Sequence, residues 1–570
     1  MKLPALDFET LRSEIVGADA SFETPFGQRL MTYADYTASG RCLGFIERFL
    51  LHVQRIYANT HTEDDVSGRS MSQLLHQAEA AIKSSVNAGP HGKLIAIGAG
   101  STAAIDRFQQ LIGVALPPVT AEFLVRWRKE HFGADGAESF EEFLRDQRPV
   151  VFIGPFEHHS NEITWRQSLA EVVPIALAAD GSLDMADLEQ KLQEPSYQGR
   201  LRIGSFSAAS NVTGRRAPVH TLASLLHAHD ALAVFDYAAC APYVKIDMNP
   251  DPGPEGGDPS LDAIFVSPHK FLGGPGSSGV LVFHERIYHA ELPPCVGGGG
   301  TVDYVGPSMH DFVDDIEDRE KAGTPGTLQT MKAALAFLVK EAVGVEKIEA
   351  REDELLRRAM KLWGSHDGIE ILGSLDPTDR TAIVSFNLAD PRGDYLHPKL
   401  VTVLLNDLFG IQSRAGCSCA GPYGHTLLGI DAATSQRYRA AVLQGWGGLK
   451  PGWCRIGFHF AMDDAEADFL IEAVEFLANH GWIFQQLYEF DLQAATWTHK
   501  EFQAAEDSFD LASALEAQPC EDTVSPEQRA KLYADYFRQV KAFASSLKAS
   551  APAKSQRLPV DLEALQFFSY

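Results

Sequence analysis

Two side chains in this sequence could perform covalent chemistry together. The apolar run Ala231-Leu-Ala-Val-Phe-Asp236 ends in a carboxylate, and a second apolar run leads into Ser267-Pro-His-Lys270. A lysine amine condenses with an aldehyde to form a Schiff base, and a carboxylate can hold a pyridine nitrogen protonated so that the ring accepts electrons. An acid and a lysine that each stand just past a buried strand therefore suit a pyridoxal 5'-phosphate site. Taken singly, Lys270 also reads as a surface lysine on the Gly-rich turn from Phe271 to Gly279, and Asp236 as a helix cap. Other segments that supply the remaining parts of such a site shift the weight.

Gly98-Ala-Gly-Ser101-Thr102 follows a strand and opens a helix. Backbone N–H groups at a helix start, with the hydroxyls of Ser101 and Thr102 beside them, make a cradle for a phosphate dianion. Glu157-His158-His159-Ser-Asn161 offers imidazoles, one of which could stack on a flat ring and move protons at neutral pH; a metal pair or a hydrogen-bonded loop is the alternative. Ser413-Arg-Ala-Gly-Cys417-Ser-Cys419-Ala-Gly-Pro422 places thiols in a Gly-rich loop near an arginine, which favours a nucleophilic thiolate. Cys-x-Cys can also bind metal, but no second cysteine pair is there to complete a tetrahedral site.

These residues need a sheet to position them. From Leu94 to Phe283 short apolar runs (93–97, 149–153, 201–206, 232–235, 263–266, 280–283) alternate with helix-like stretches, a pattern that predicts a largely parallel sheet with helices on both faces. Sites in that architecture lie beyond the carboxyl ends of the strands, where Asp236, His158, Thr102 and Lys270 all fall. The charged stretch 117–148 reads as a surface insertion. The expected domains are a segment 1–30 belonging to the smaller domain, a large cofactor-binding domain over 31–330, a small α+β domain over 331–485 and a helical extension over 486–570. Within the extension, Ser525 and Pro526 open an amphipathic helix running to Ala549, and 551–556 reads as a linker.

The chain has 570 residues, 45% hydrophobic and 22% charged, with a formal net charge of −27. That charge argues against nucleic acid and anionic membrane surfaces as partners. Seven cysteines spread along the chain lack the density of a disulfide scaffold and point to a reducing compartment. No run approaches a membrane span and the N-terminus lacks a signal-peptide pattern, so a cytoplasmic protein is expected.

Between Tyr33 and Ala473 the chain resembles the class V aminotransferase group of fold-type I pyridoxal phosphate enzymes, in particular cysteine desulfurases, selenocysteine lyases and molybdenum cofactor sulfurases. The resemblance is carried by Ser267-Pro-His-Lys270, Glu157-His-His-Ser-Asn161, Ser210-Asn-Val-Thr-Gly214, Ala322-Gly-Thr-Pro-Gly326 and Arg414-Ala-Gly-Cys-Ser-Cys419. It implies an α/β fold with a large, mostly parallel sheet flanked by helices and a smaller α+β C-terminal domain. It also implies Lys270 as the Schiff-base lysine, Asp236 on the pyridine nitrogen, His158 stacked on the ring and Asn211 at its phenolic oxygen. Ser101, Thr102, Ser267 and His269 would hold the phosphate, with Gly323 and Thr324 completing it from the neighbouring subunit of a homodimer. Arg455 would grip the substrate carboxylate, with Arg414 and His61 lining the same mouth. No metal is implied.

Cys419 falls at the position of the family's sulfur-accepting nucleophile. The resemblance thus implies removal of sulfur from cysteine as a Cys419 persulfide, with release of alanine and a sulfur-acceptor protein as possible partner. A class V aminotransferase, or another pyridoxal phosphate lyase acting on a different amino acid, is the alternative, and a non-catalytic scaffold a third reading. The chain departs from the family at Ala239, where a glutamine is common, and at Cys417 and Ser418, which look closer to the molybdenum cofactor sulfurases.

Overall fold

A computed structural model describes residues 3–253, 256–502, 524–547 and 557–569. Cys520 and the expected linker 551–556 lie outside the described residues, as does the end of the helix expected to reach Ala549. The chain forms two compact units. Unit 1 comprises Met1–Asp7, Ser39–Ser210 and Arg215–Glu349; unit 2 comprises Phe8–Ala38, Asn211–Gly214 and Ala350–Tyr570.

Unit 1 is built on a seven-stranded sheet of β1 (Gly92–Ile97), β2 (Val150–Ile153), β3 (Glu171–Pro174), β4 (Arg202–Ser207), β5 (Ala231–Asp236), β6 (Ala263–Val266) and β7 (Gly279–His284), in the order β1-β7-β6-β5-β4-β2-β3. Strands β3, β2, β4, β5 and β6 are mutually parallel, while β7 runs antiparallel to both of its neighbours. The central strands are covered on both faces: every residue of β2, β4 and β6 is buried, with β2 and β6 wholly apolar and β4 also burying Arg202, Ser205 and Ser207. Helix α1 (Val66–Ser85) packs on α4 (Thr327–Val343) within unit 1, which runs on to Glu349; the domain boundary expected at 330/331 falls inside α4.

Helix α2 (Ser101–Leu111) sets the position of the phosphate-type loop. Its Ala104, Ile105, Phe108 and Leu111 fall on one face and join a core cluster with Ile95, Phe265 and Leu281. The Phe108 ring lies 5.5 Å from that of Phe265, and burying a phenylalanine contributes roughly 1.5–3 kcal/mol. The helix is thereby anchored with its N-terminus at the carboxyl edge of the sheet. The stretch 117–148 is helix α3 (Pro118–Gln147), kinked where Gly133 adopts φ 72°.

Unit 2 holds a four-stranded antiparallel sheet of β8 (Ile369–Ile371), β9 (Ile383–Leu388), β10 (Arg414–Gly416) and β11 (Trp453–Gly457), ordered β8-β9-β11-β10. Helix α5 (Val345–Trp363) leads the chain into it. Helices α6 (Pro398–Phe409), α7 (Asp464–Phe484) and α8 (Pro526–Ser546) pack together. The Tyr533 ring of α8 stacks on Phe469 of α7 at 4.0 Å, and Phe537 meets Phe409 at 5.1 Å. The region after 485 is less helical than expected, because a hairpin of β12 (Tyr488–Asp491) and β13 (Thr496–His499) precedes α8. Among the described residues no helix is long and apolar enough to cross a membrane.

Candidate active site

The carboxyl edge of the unit 1 sheet collects most of the residues that the sequence singles out. Asp236 is the last residue of β5, Ser267 follows β6, the Glu157–Asn161 loop follows β2, and Ser101 opens the helix after β1. Lys270 closes the single turn Pro268–Lys270, with its N–H donating to Ser267 O at 3.0 Å. Gly274 allows that turn to form, since a Cβ there would lie 1.8 Å from Pro268 O.

Asp236 is 3% exposed and its side chain accepts from Ala238 N–H at 2.9 Å. Burial pushes its carboxyl up, while the Ala238 N–H, the Lys270 charge and the Ser101 hydroxyl pull the other way. This buried acid thus feels the charge of Lys270. Ser267 Oγ accepts from Ser101 N–H at 2.8 Å. His269 is pushed down to about 4, first by burial and then by Lys270, so it stands neutral at physiological pH. Gly100, the N-cap residue of α2, has no side chain to offer the helix, and a Cβ there would come within 3.0 Å of Ser267 Oγ and 3.5 Å of His269. A helix N-terminus with glycine at its cap and with Thr102, Ser267 and His269 beside it fits a phosphate, and a buried carboxylate that feels Lys270 fits a pyridinium.

His158 is linked to this edge through Ser160, a residue to which sequence reasoning gives no role. Thr102 Oγ1 and Ser160 Oγ are 2.7 Å apart, and His158 Nδ1 accepts from Ser160 N–H at 3.1 Å. Nδ1 therefore carries the lone pair, leaving the ring proton of the neutral imidazole on Nε2. Glu157 beneath it is also missed as a participant. It accepts from Asn161 at 2.7 Å, from Ser207 N–H at 2.9 Å and from the Ser207 hydroxyl at 2.7 Å.

His61, Gly323 and Thr324 form their own cluster in unit 1. His61 Nε2 donates to Gly323 O at 2.9 Å, and Asn59 Nδ2 donates to Thr324 Oγ1 at 2.9 Å.

Asn211, Arg414, Cys419 and Arg455 lie in unit 2. Between the two arginines stands Asp35, which no sequence motif marks: Arg414 Nε meets its Oδ2 at 2.9 Å and Arg455 Nη2 its Oδ1 at 3.0 Å. Arg455 is 4% exposed and also donates to Asn211 O at 3.0 Å, so two of its nitrogens are engaged by the protein itself. Burial lowers its guanidinium, and Asp35 offsets this. Arg414 is the more open of the two arginines. Asn211 Nδ2, the donor expected at a phenolic oxygen, is held by Ser418 O at 2.6 Å, while its Oδ1 is buried without a partner among the described residues.

The loop that Asn211 holds is strained. Ser418 (φ 50°) and Cys419 (φ 55°) are consecutive non-glycine residues in the left-handed region, a conformation that costs of order 1–3 kcal/mol each. Cys419 is exposed, whereas burial raises the thiols of Cys42, Cys240, Cys295 and Cys454, the middle two to about 12 and the last to about 11. Among the described residues no three His, Cys, Asp or Glu side chains come together as a metal would need.

The family model of class V aminotransferases matches residues 137–470, which takes in Asp236, Lys270, Cys419 and Arg455. The chain belongs to the class V aminotransferase family. This family of pyridoxal phosphate enzymes includes proteins named as cysteine desulfurases. Two such class V relatives are a probable cysteine desulfurase of Halalkalibacterium halodurans, 30% identical over 48% of this chain and 62% of that protein, and one of Staphylococcus aureus, 32% identical over 50% and 65%. The match thus spans less than two thirds of either relative's length. The class V fold is also seen in the apo cysteine desulfurase of Thermococcus onnurineus, with a TM-score of 0.62 and 19% identity over 84% of this chain and 99% of that one. Cysteine desulfurase CsdA (S-sulfonic acid) from Escherichia coli gives 0.60 and 19% over 82% and 98%.

Proposed function

We propose that the chain is a pyridoxal-phosphate-dependent enzyme that takes sulfur from cysteine onto Cys419 and releases alanine. The observation that carries this reading is an exposed Cys419, held by a strained left-handed turn just after the strand β10 that begins at Arg414. The names of the relatives support the same chemistry.

When bound, the cofactor supplies an aldehyde for the Lys270 amine and a ring that accepts electrons from the amino-acid α carbon. Ser101, Thr102, Ser267 and His269 would hold its phosphate at the start of α2, and Asp236 would keep the ring nitrogen protonated. His158 would cover the ring, with its Nε2–H as the mobile proton. The Lys270 amine moves the proton at the substrate α carbon. Arg455 would grip the substrate carboxylate, with Arg414, the second arginine held at Asp35, lining the same mouth. Cys419 Sγ then attacks the substrate sulfur: a sulfur–sulfur bond forms, the bond from sulfur to the β carbon breaks, and the carbon takes up a proton as alanine leaves. The same reading carries a cytoplasmic homodimer in which Gly323 and Thr324 complete the neighbouring subunit's phosphate site.

The test is a visible spectrum during cysteine addition together with alanine measurement. Wild-type protein should shift its absorption and yield alanine, and Cys419→Ala should shift its absorption without sustained alanine formation. Undiminished alanine from Cys419→Ala removes the sulfur-acceptor role, and turnover that requires an α-keto acid identifies a transferase instead.

A further inference from the structure

A cavity of about 300 Å³ opens behind the cysteine loop in unit 2, with Cys417, Cys419, Arg414, Lys399 and Lys450 in its wall. One residue of its wall, Ala495, comes from beyond the family match, which ends at residue 470. Ala495, in the turn between β12 and β13, lines the cavity, and Gly448 N–H donates to Leu492 O in that turn at 2.7 Å. Lys399 Nζ donates to Ala495 O at 2.7 Å, which ties α6 to the same turn.

The charge of the cavity is one-sided. Among the described residues no Asp or Glu lines it, in a chain whose formal net charge is −27. Arg414 is balanced by Asp35, but the two lysines repel each other, since the Lys399 ammonium is pushed down by burial and by Lys450. An anion between them would relieve that repulsion. A volume of this size is at the small end of small-molecule pockets and too small for a folded partner.

We infer that this cavity is the site where a small anionic thiol takes sulfur from Cys419. The inference rests on the desulfurase reading and specifies its second half. The acceptor thiolate attacks the outer sulfur of the Cys419 persulfide, a bond forms between the two sulfurs, and the bond to Cys419 Sγ breaks. Its electron pair leaves on the Cys419 thiolate, and the acceptor departs as its own persulfide with the proton retained.

Two measurements on the full-length protein test this. The first compares alkylation of Cys417 and Cys419 by iodoacetate with that by iodoacetamide, read by peptide mass spectrometry without any substrate. The anion-to-neutral rate ratio should fall about threefold in Lys450→Gln and about tenfold in Lys450→Glu, and less at high salt. Lys450 is exposed, so neither change disturbs the core. The second follows sulfur transfer from protein already loaded with cysteine-derived sulfur to 2-mercaptoethanesulfonate and to 2-mercaptoethanol. The anionic thiol should be the better acceptor, and Lys450→Glu should erase its advantage. An alkylation ratio unmoved by both variants, or equal transfer to the two thiols, overturns the inference. Failure of Cys419 to load at all defeats the desulfurase reading and the acceptor role together; an alkylation ratio that still responds would then show which premise failed.

Discussion

Glu157 accepts hydrogen bonds from Asn161 and Ser207 in full burial, and its carboxyl is pushed up to about 7 by that burial, with the nearby Asp236 charge adding a smaller push. Its ordinary value is 4.5, so the folded state holds the proton more tightly than the unfolded one. The resulting stabilisation, roughly 3 kcal/mol, is complete below the ordinary value and is lost as pH rises through about 7. Melting temperatures of wild type and Glu157→Gln should therefore diverge between pH 5 and pH 8, with the wild type losing more. Parallel profiles would show that Glu157 does not ionise in that window. Asp236, Lys270, Ser267 and Thr102 were legible from sequence because each stands just beyond an apolar run that becomes a buried strand. Asp35 was not: its arginines lie 379 and 420 positions away, and nothing local marks an acid that only tertiary structure pairs. The hold of Ser418 on Asn211 was equally hidden, because a backbone carbonyl leaves no trace in side-chain type.

Among elements, the lysine turn depends most on a single position. A methyl group at Gly274 would sit 1.8 Å from the Pro268 carbonyl oxygen, too close for any rotamer to relieve because the obstacle is backbone. Gly274→Ala should destabilise the protein by about 1–3 kcal/mol and displace Lys270, so both the melting temperature and the cofactor absorption should fall. A variant with wild-type absorption would mean that the turn tolerates the shift. Fully buried strands such as β2 and β6 announced themselves as continuous apolar runs. Strand β3 did not, since at the sheet edge only one of its four residues is buried. Strand β9 begins at Ile383, and just before it Thr381 N–H donates to Gly214 O at 2.8 Å, a contact that local sequence does not announce.

At the scale of the molecule, the C-terminal region is part of unit 2 rather than an appendage. Tyr533, Tyr536, Phe537 and Val540 of α8 are buried, and at roughly 1.5–3 kcal/mol for each fully buried apolar side chain their loss would rival the whole net stability of a domain. Truncation after residue 502 should therefore unfold unit 2, seen as loss of its protease-resistant fragment; a truncated chain with unit 2 still resistant would contradict this. The sequence reading set residues 1–30 with the smaller domain, but that Asn211–Gly214 also joins unit 2 could not be read from it, because periodicity reports neighbours along the chain and not partners across it. The first stretch of unit 2, Phe8–Ala38, carries Thr32–Tyr33, which pairs in parallel with Ile411–Gln412. At ordinary synthesis rates the ribosome needs roughly 20 to 80 s to make the intervening chain. For that time the nascent segment waits with no sheet to join, so it is here that a chaperone would have to hold the emerging polypeptide.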